Sequence, residues 1–213
     1  MKRESILAPE GWVYITPTAA IAIAFGIMGW YWATALLAIA TLFLINFFRN
    51  PRHPDPHGPE VVLSPADGVV VQIRDIPDGE IREGLTKQVS IFMNVFDVHV
   101  NRAPISGKIV HYRYNPGKKL AAFADKSSSE NEQNLIVVSN GPSTVAFKQI
   151  AGLLARRIVF DLSVGDEVVR GQRVGMIKFG SRVDMFLPTS ANIRVSMKDR
   201  VRVGLSVIAE MDK

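Results

Sequence analysis

The sequence predicts a mainly β domain (α+β overall), a β-sandwich or barrel, preceded by an N-terminal hydrophobic helical hairpin. Three observations predict it. Short β-rich runs alternate with turn signals from Val61 to Val207, the pattern of sandwiches and barrels. Gly11 to Phe48 is a run of 38 residues without a charge. Between them, Asn50-Pro-Arg-His-Pro-Asp-Pro-His-Gly-Pro59 holds four prolines in ten residues, which excludes regular structure and stiffens a connection. The expected division is a membrane anchor over 1–48, a linker over 49–60 and a folded domain over 61–213.

The anchor comes first in the chain. A single span needs about 20 apolar residues, so a 38-residue run overshoots even when tilted. Pro17 lies near its start, and Gly26 and Gly29 precede Trp30-Tyr31-Trp32 in its middle. Glycines beside interfacial aromatics read as a turn at the membrane surface. Two helices are expected, roughly 13–28 and 31–48. Lys2 and Arg3 on one flank and Arg49 and Arg52 on the other place both ends on the cytoplasmic side of the cell membrane. A single span that exports the domain is the competing topology. A cleaved signal peptide would have a shorter apolar core.

The strand candidates follow in order: Val61–Leu63, Val69–Ile73, Val89–Met93, Gly107–Tyr114, Leu135–Ser139, Thr144–Ile150, Ile158–Asp161, Arg173–Lys178, Met185–Pro188 and Val201–Val207. Pro77-Asp78-Gly79, Asn140-Gly141-Pro142 and Gly165-Asp166 are turn chemistry between them. Ala151–Arg157 and Val95–Val100 are the only helix candidates after residue 50. Asn115–Asn134 lacks strand periodicity, and a connection of that length in a compact domain is a functional or a plain surface loop. Val164-Gly-Asp-Glu-Val-Val-Arg-Gly-Gln-Arg-Val-Gly175 resembles the turn-strand-turn of lipoyl and biotinyl carrier barrels, without the exposed hairpin lysine of a carrier. That likeness describes fold only.

Composition narrows the function. The chain has no cysteine, which excludes disulfides, thiolate metal sites and a cysteine nucleophile. His53, His57, His99 and His111 show no metal-ligand spacing, so no metal is expected. The net charge of +5 lies entirely outside residues 1–48, where Lys2 and Arg3 offset Glu4 and Glu10. A basic domain beside an apolar anchor suits an anionic lipid surface. Nucleic acid is not expected as a partner, because no aromatic-basic motif or dense Lys/Arg run is present.

Ser181 in Met176-Ile-Lys-Phe-Gly-Ser-Arg-Val-Asp-Met-Phe186, His99 in Phe96-Asp-Val-His-Val-Asn-Arg-Ala-Pro104 and Asp67 in Ser64-Pro-Ala-Asp-Gly68 supply a nucleophile, a base and an orienting carboxylate. By residue type alone, Gly180-Ser181 and Asp67-Gly68 are equally turns, and Asp97-Val-His99 is equally a strand pair on one face. A membrane-anchored barrel adaptor without catalysis is the alternative that this leaves open.

The segments resemble the phosphatidylserine decarboxylase family in its short, membrane-anchored prokaryotic form. The matching stretches are Phe47-Phe-Arg-Asn-Pro-Arg52, Ser64–Gly68, Phe96–Pro104, Asn115-Pro-Gly-Lys118, Glu130-Asn-Glu132, Gln149-Ile-Ala-Gly-Leu-Leu-Ala-Arg-Arg157, Gly165-Asp166 and Phe179-Gly-Ser181, in consistent order along the chain. The resemblance implies a proenzyme that cuts itself between Gly180 and Ser181. Ser181 would become a covalent pyruvoyl cofactor, and the products would be a β chain (1–180) and an α chain (181–213) that pair as a heterodimer. The pyruvoyl group would form a Schiff base with phosphatidylserine and release phosphatidylethanolamine and CO2. Asp67 and His99 would activate Ser181, and Arg102 and Lys118 would bind substrate. The family's long form carries two histidines three apart and pairs the second with the aspartate. Here His99 matches the first and Arg102 replaces the second, so the base for self-cleavage stays open between His99 and another group. Another amino-acid-headed lipid, or a soluble amino acid, is the substrate alternative.

Overall fold

A computed structural model describes residues 5–55, 57–117, 131–152, 157–178 and 180–211. It divides into two compact units, Met1–Arg52 and His53–Lys213.

The first unit is the expected hairpin, its helices within a residue of the predicted bounds. A 3-10 turn over Pro9–Gly11 leads into α1 (Trp12–Ile27), and α2 is Tyr31–Phe47. Gly29 adopts a φ of 77° in the turn between them. The ends are clasped: the Ala8 amide donates to the Phe48 carbonyl at 2.8 Å and the Asn50 amide to Ile6 at 2.7 Å. The helices therefore run antiparallel. Thr18 and Thr41 donate their hydroxyls to the carbonyls of Tyr14 and Leu37, four residues back, which satisfies them without water. Ile21, Ile23, Leu36, Ile39 and Leu42 are exposed. A helix that is apolar all round belongs in a buried or lipid environment. Pro9–Ile27 is long and apolar enough to cross a membrane, by length and composition only, with a mean hydropathy of 1.3.

The second unit is mainly β. Its strands are β1 (Val61–Leu63), β2 (Gly68–Asp75), β3 (Leu85–Met93), β4 (Val100–Arg102), β5 (Gly107–Asn115), β6 (Gln133–Ser139), β7 (Thr144–Ala151), β8 (Arg157–Phe160), β9 (Glu167–Val168), β10 (Arg173–Lys178), β11 (Ser181–Pro188), β12 (Asn192–Ile193), β13 (Arg200–Val201) and β14 (Val207–Glu210). They form a curled eight-stranded sheet in the order β13-β2-β3-β11-β7-β6-β5-β9 and two three-stranded sheets, β4-β10-β8 and β1-β14-β12. Pairing is antiparallel throughout, which makes a barrel-like architecture.

Alternation decides what each strand buries. Val89, Ile91 and Met93 of β3, Val145 and Phe147 of β7, and Val183, Met185 and Leu187 of β11 join the main core. Each such side chain contributes roughly 1.5–3 kcal/mol on burial. The opposite face of the same sheet carries a smaller cluster of Ile76, Leu85, Val137, Ala146 and Phe186.

Two expectations change. Val95–Val100 is not a helix: Asn94 and Asp97 accept the amides of Phe96 and Asn94 and close a turn, and β4 begins at Val100. Val201–Val207 is not one strand, because Gly204 turns the chain at a φ of 66° between β13 and β14. Asn115 ends β5 and Gln133 opens β6, while residues 118–130 of the long connection and 153–156 of the second helix candidate lie outside the described residues.

Candidate active site

Two chain connections meet at one corner of the domain. β3 pairs with β11, Met93 facing Ser181, and β4 pairs with β10, Val100 facing Met176. The segment 94–99 that joins β3 to β4 therefore runs from the partner of Ser181 to the partner of Met176. His99 is the last residue of that segment, and Gly180 directly precedes Ser181, the first residue of β11. The Ile177 amide donates to the His99 carbonyl at 3.2 Å, four residues before Ser181.

Ser181 is fully buried at the head of β11, between Met93 on one side and Ala151 on the other. It shares the core face with Val183 and Met185. Its hydroxyl donates to the Met93 thioether at 3.3 Å, a weak acceptor that leaves the oxygen's own lone pairs available. Gly180 has a φ of 41°, a left-handed conformation that costs an L-residue roughly 1–2 kcal/mol. A Cβ there would meet nothing within 4 Å, so the backbone angle, not space, selects glycine.

His99 is also fully buried. Its Nδ1 lies 2.9 Å from the Asp97 carbonyl. A carbonyl only accepts, so Nδ1 carries the proton and Nε2 holds the lone pair in the neutral ring. Nε2 is itself buried. The turn beneath it is pinned from outside by Arg200, which donates to Asp97 Oδ1 at 2.9 Å.

Asp67 reaches the same corner from the β1–β2 connection. Its Oδ2 accepts the Val98 amide at 3.2 Å and its Oδ1 the Val203 amide at 2.6 Å. It thus grips the residue next to His99. Gly68 beside it sits so close to β3 that a Cβ would lie 2.1 Å from the Phe92 carbonyl oxygen; only glycine brings Asp67 that near.

Arg102 ends β4, nearly buried, and donates Nη1 to the Gly171 carbonyl at 2.6 Å. Its stem lies over Gly204, where a Cβ would come within 2.9 Å of Arg102 Cδ. Lys118 lies outside the described residues. The structure thus draws Asp67, His99 and Ser181 to one corner and sets Arg102 on the far end of the strand that follows His99.

Several neighbours escaped sequence reasoning. Gln149 donates to Asn101 at 2.7 Å, Asn134 donates to Gln149 at 2.9 Å, and Asn131 donates to the Ala151 carbonyl at 2.7 Å. All four amides are buried. Ala151 pairs with Ser181, so this ladder backs the serine. Their signal was present: an amide within an apolar strand run, as in Val145-Ala-Phe-Lys-Gln-Ile150, needs a buried partner. Behind the serine, Arg182 and Asp184 form a buried ion pair at 2.6 Å.

Relatives identify the family. The family model for phosphatidylserine decarboxylase matches residues 40–209. The chain belongs to the phosphatidylserine decarboxylase family. It is 41% identical over 210 residues to a phosphatidylserine decarboxylase proenzyme of Cupriavidus metallidurans, covering 97% of this chain and 96% of that one. It is 50% identical over 171 residues to the proenzyme of Amoebophilus asiaticus, 80% of this chain and 76% of the relative. The proenzyme of Geotalea uraniireducens is 39% identical over 203 residues, 95% of each chain. Among the described residues, no three His, Asp or Glu side chains group as a metal site. The corner brings together a serine, an imidazole and a carboxylate.

Proposed function

We propose that the chain is a pyruvoyl-dependent phosphatidylserine decarboxylase that makes its own cofactor from Ser181 and yields phosphatidylethanolamine and CO2. The observation that carries this reading is Ser181 itself: buried, at a strand head, behind a left-handed glycine and beside the turn that holds His99. Among the described residues the hydroxyl's partner is a thioether, a weak acceptor that costs little to give up when it reacts. A keto group at position 181 needs no more room than the serine it replaces, so the residues present fit the cofactor.

Self-cleavage follows from the chain's own groups. His99 Nε2, which carries the lone pair in the neutral tautomer that the Nδ1–H bond to Asp97 selects, takes the Ser181 hydroxyl proton. Ser181 Oγ attacks the Gly180 carbonyl carbon, the Gly180–Ser181 C–N bond breaks, and the nitrogen takes up a proton. The ester then loses the Cα proton of residue 181 and expels the Gly180 carboxylate. Hydrolysis of the resulting dehydroalanine consumes water and releases ammonia. Asp67 holds Val98, and so His99, in place during these steps. A pyruvoyl group at 181 supplies an electrophilic carbonyl for the substrate amine and an electron sink for loss of CO2. His99 stands ready to return a proton to the product. Arg102 and Lys118 bind the phosphate or carboxylate of the headgroup.

Substrate and location belong to the same reading. The apolar hairpin supports a membrane location, and its basic flanks favour the cytoplasmic face of the cell membrane. The basic charge suits phosphatidylserine-rich lipid. The cut chains, 1–180 and 181–213, stay together as a heterodimer because β11 lies between β3 and β7.

Intact-mass measurement of the purified protein tests this. A fragment of residues 181–213, lighter than its encoded peptide by one ammonia and resistant to N-terminal sequencing, is expected. A preparation that decarboxylates phosphatidylserine with the chain uncut would overturn it, and an uncut, inactive chain would favour the adaptor.

A further inference from the structure

The face of β11 opposite Ser181 changes character along its length. Phe186 lies in an apolar cluster with Ile76, Leu85, Val137 and Ala146. Two and four residues nearer the cut, the same face buries Asp184 and Arg182, 1% and 2% exposed. The Arg182 guanidinium donates Nε to Asp184 Oδ1 at 2.6 Å. Its Nη2 donates to Gln72 Oε1 of β2 and to Ser90 Oγ of β3, both at 2.8 Å. Gln88 donates to Ser90 at 2.9 Å and accepts from Arg74 at 2.9 Å, so these acceptors are themselves fixed. One planar fork spans three adjacent strands.

A buried ion pair is a poor way to stabilise a fold, since apolar residues of the same volume do as well. This face already has an apolar solution four residues away. What a buried guanidinium bonded to three side chains supplies is a single register. Register matters here, because a slip of one residue would turn position 181 away from the core face.

We propose that Arg182 is a positioning residue that holds the head of β11 once the chain is cut ahead of it. This rests on the reading of cleavage at Gly180–Ser181. Before the cut, residue 181 is held covalently from both sides. Afterwards it is a chain end, and chain ends fray. Arg182 is the first side chain past the break, and its bonds reach strands that the cut leaves intact. The fork geometry is needed because Nε holds Asp184 while Nη2 holds Gln72 and Ser90, and a lysine has one nitrogen in place of these two.

The test compares full-length parent, Arg182→Lys, and the double variant Arg182→Met/Asp184→Leu, which removes the clamp together with its buried counter-charge. Each is assayed for the extent of cutting, urea midpoint, kcat and KM on phosphatidylserine in mixed micelles, and hydrogen exchange of the 182–185 amides. Exchange is repeated with Ser181→Ala added, which keeps the chain whole. Both variants should be cut and keep urea midpoints near the parent's. Their kcat should fall about 10- to 100-fold with KM within about twofold, a loss of positioning and not of binding. Exchange should rise about tenfold in the cut form and stay at the parent's rate in the uncut form. A double variant with parental kcat, or equal exchange before and after cutting, would overturn the proposal. So would a stable variant that is never cut, since the effect would then precede the break. If the parent itself yields no fragment beginning at 181, it is the cleavage reading that fails.

Discussion

On one face of β11, Ser181 heads a row of Val183, Met185 and Leu187 in the main core. On the other, Arg182 and Asp184 precede Phe186, tied by hydrogen bonds to β2 and β3. The first face gives its hydroxyl a thioether and little else. The second ties Arg182 to a carboxylate, an amide oxygen and a hydroxyl. The difference teaches how a strand can be reactive and rigid at once. Groups that must react are left with weak partners, and groups that must not move are cross-linked, one sheet thickness away.

The sharpest way to separate the faces is Ser181→Ala. It removes one oxygen from the apolar face and should abolish both cutting and decarboxylation while leaving the fold unchanged, read by gel, mass and circular dichroism. A variant that still processes would sink the assignment of the nucleophile. His99→Gln should slow cutting by about 10²–10⁴-fold, the usual worth of a positioned acid-base group, measured as the appearance of the small fragment with time. Normal cutting would move the base elsewhere in the corner.

On the polar face, the expected loss is stability. Arg182→Met alone leaves the Asp184 carboxylate buried without its guanidinium and should cost about 3–5 kcal/mol in urea unfolding, while Asp184→Leu added to it should recover most of that. Equal midpoints for single and double variants would show that the pair is not desolvated in the way its burial implies. Gly180→Ala sits between the two faces. It meets no clash, so only the left-handed φ is penalised, by about 1–2 kcal/mol. Cutting should slow by roughly tenfold or less, and an unchanged rate would mean that this backbone angle is not kept as the serine attacks.

The smallest effect belongs far from β11. Asp55 accepts from Arg170 at 2.6 Å. Burial raises the Asp55 pKa, but the hydrogen bonds from Arg170 and the His57 amide outweigh it and hold the value below the ordinary 3.8. The unfolded carboxyl therefore takes up its proton first as pH falls. The stability from this pair is present above about pH 4 and fades as pH drops through the lower folded value. Asp55→Asn should lower the melting temperature by no more than about 2 °C at pH 7, and the gap should shrink as pH falls below the ordinary carboxylate value. A gap that widened in acid would contradict the sign.

Much of this architecture was legible from residue order. Helices α1 and α2 follow from an uncharged run broken by Gly29. Strands β1, β5, β7 and β10 follow from alternation between turns. Ser181, His99 and Asp67 stood out by type and by resemblance. Less visible were elements whose existence depends on a partner. Strand β4 is three residues long, and nothing within it signals extension except pairing with β10. The amides Asn101, Asn134 and Gln149 are polar residues in apolar runs, and only their mutual hydrogen bonds justify burial. The burial of Arg182 depends in the same way on its bonds to Gln72 of β2 and Ser90 of β3.

By itself the sequence determined which segments are apolar, where prolines and glycines interrupt them, and which side chains could act as nucleophile, base and carboxylate. Those are local properties of residue type and spacing. Only the tertiary structure decided that residues 67, 99 and 181 share one corner, and that Ser181 and Arg182 fall on opposite faces in fixed register. The physical reason is that ladder pairing joins segments many tens of residues apart. Met93 meets Ser181, and Val100 meets Met176, through backbone hydrogen bonds that no local pattern encodes.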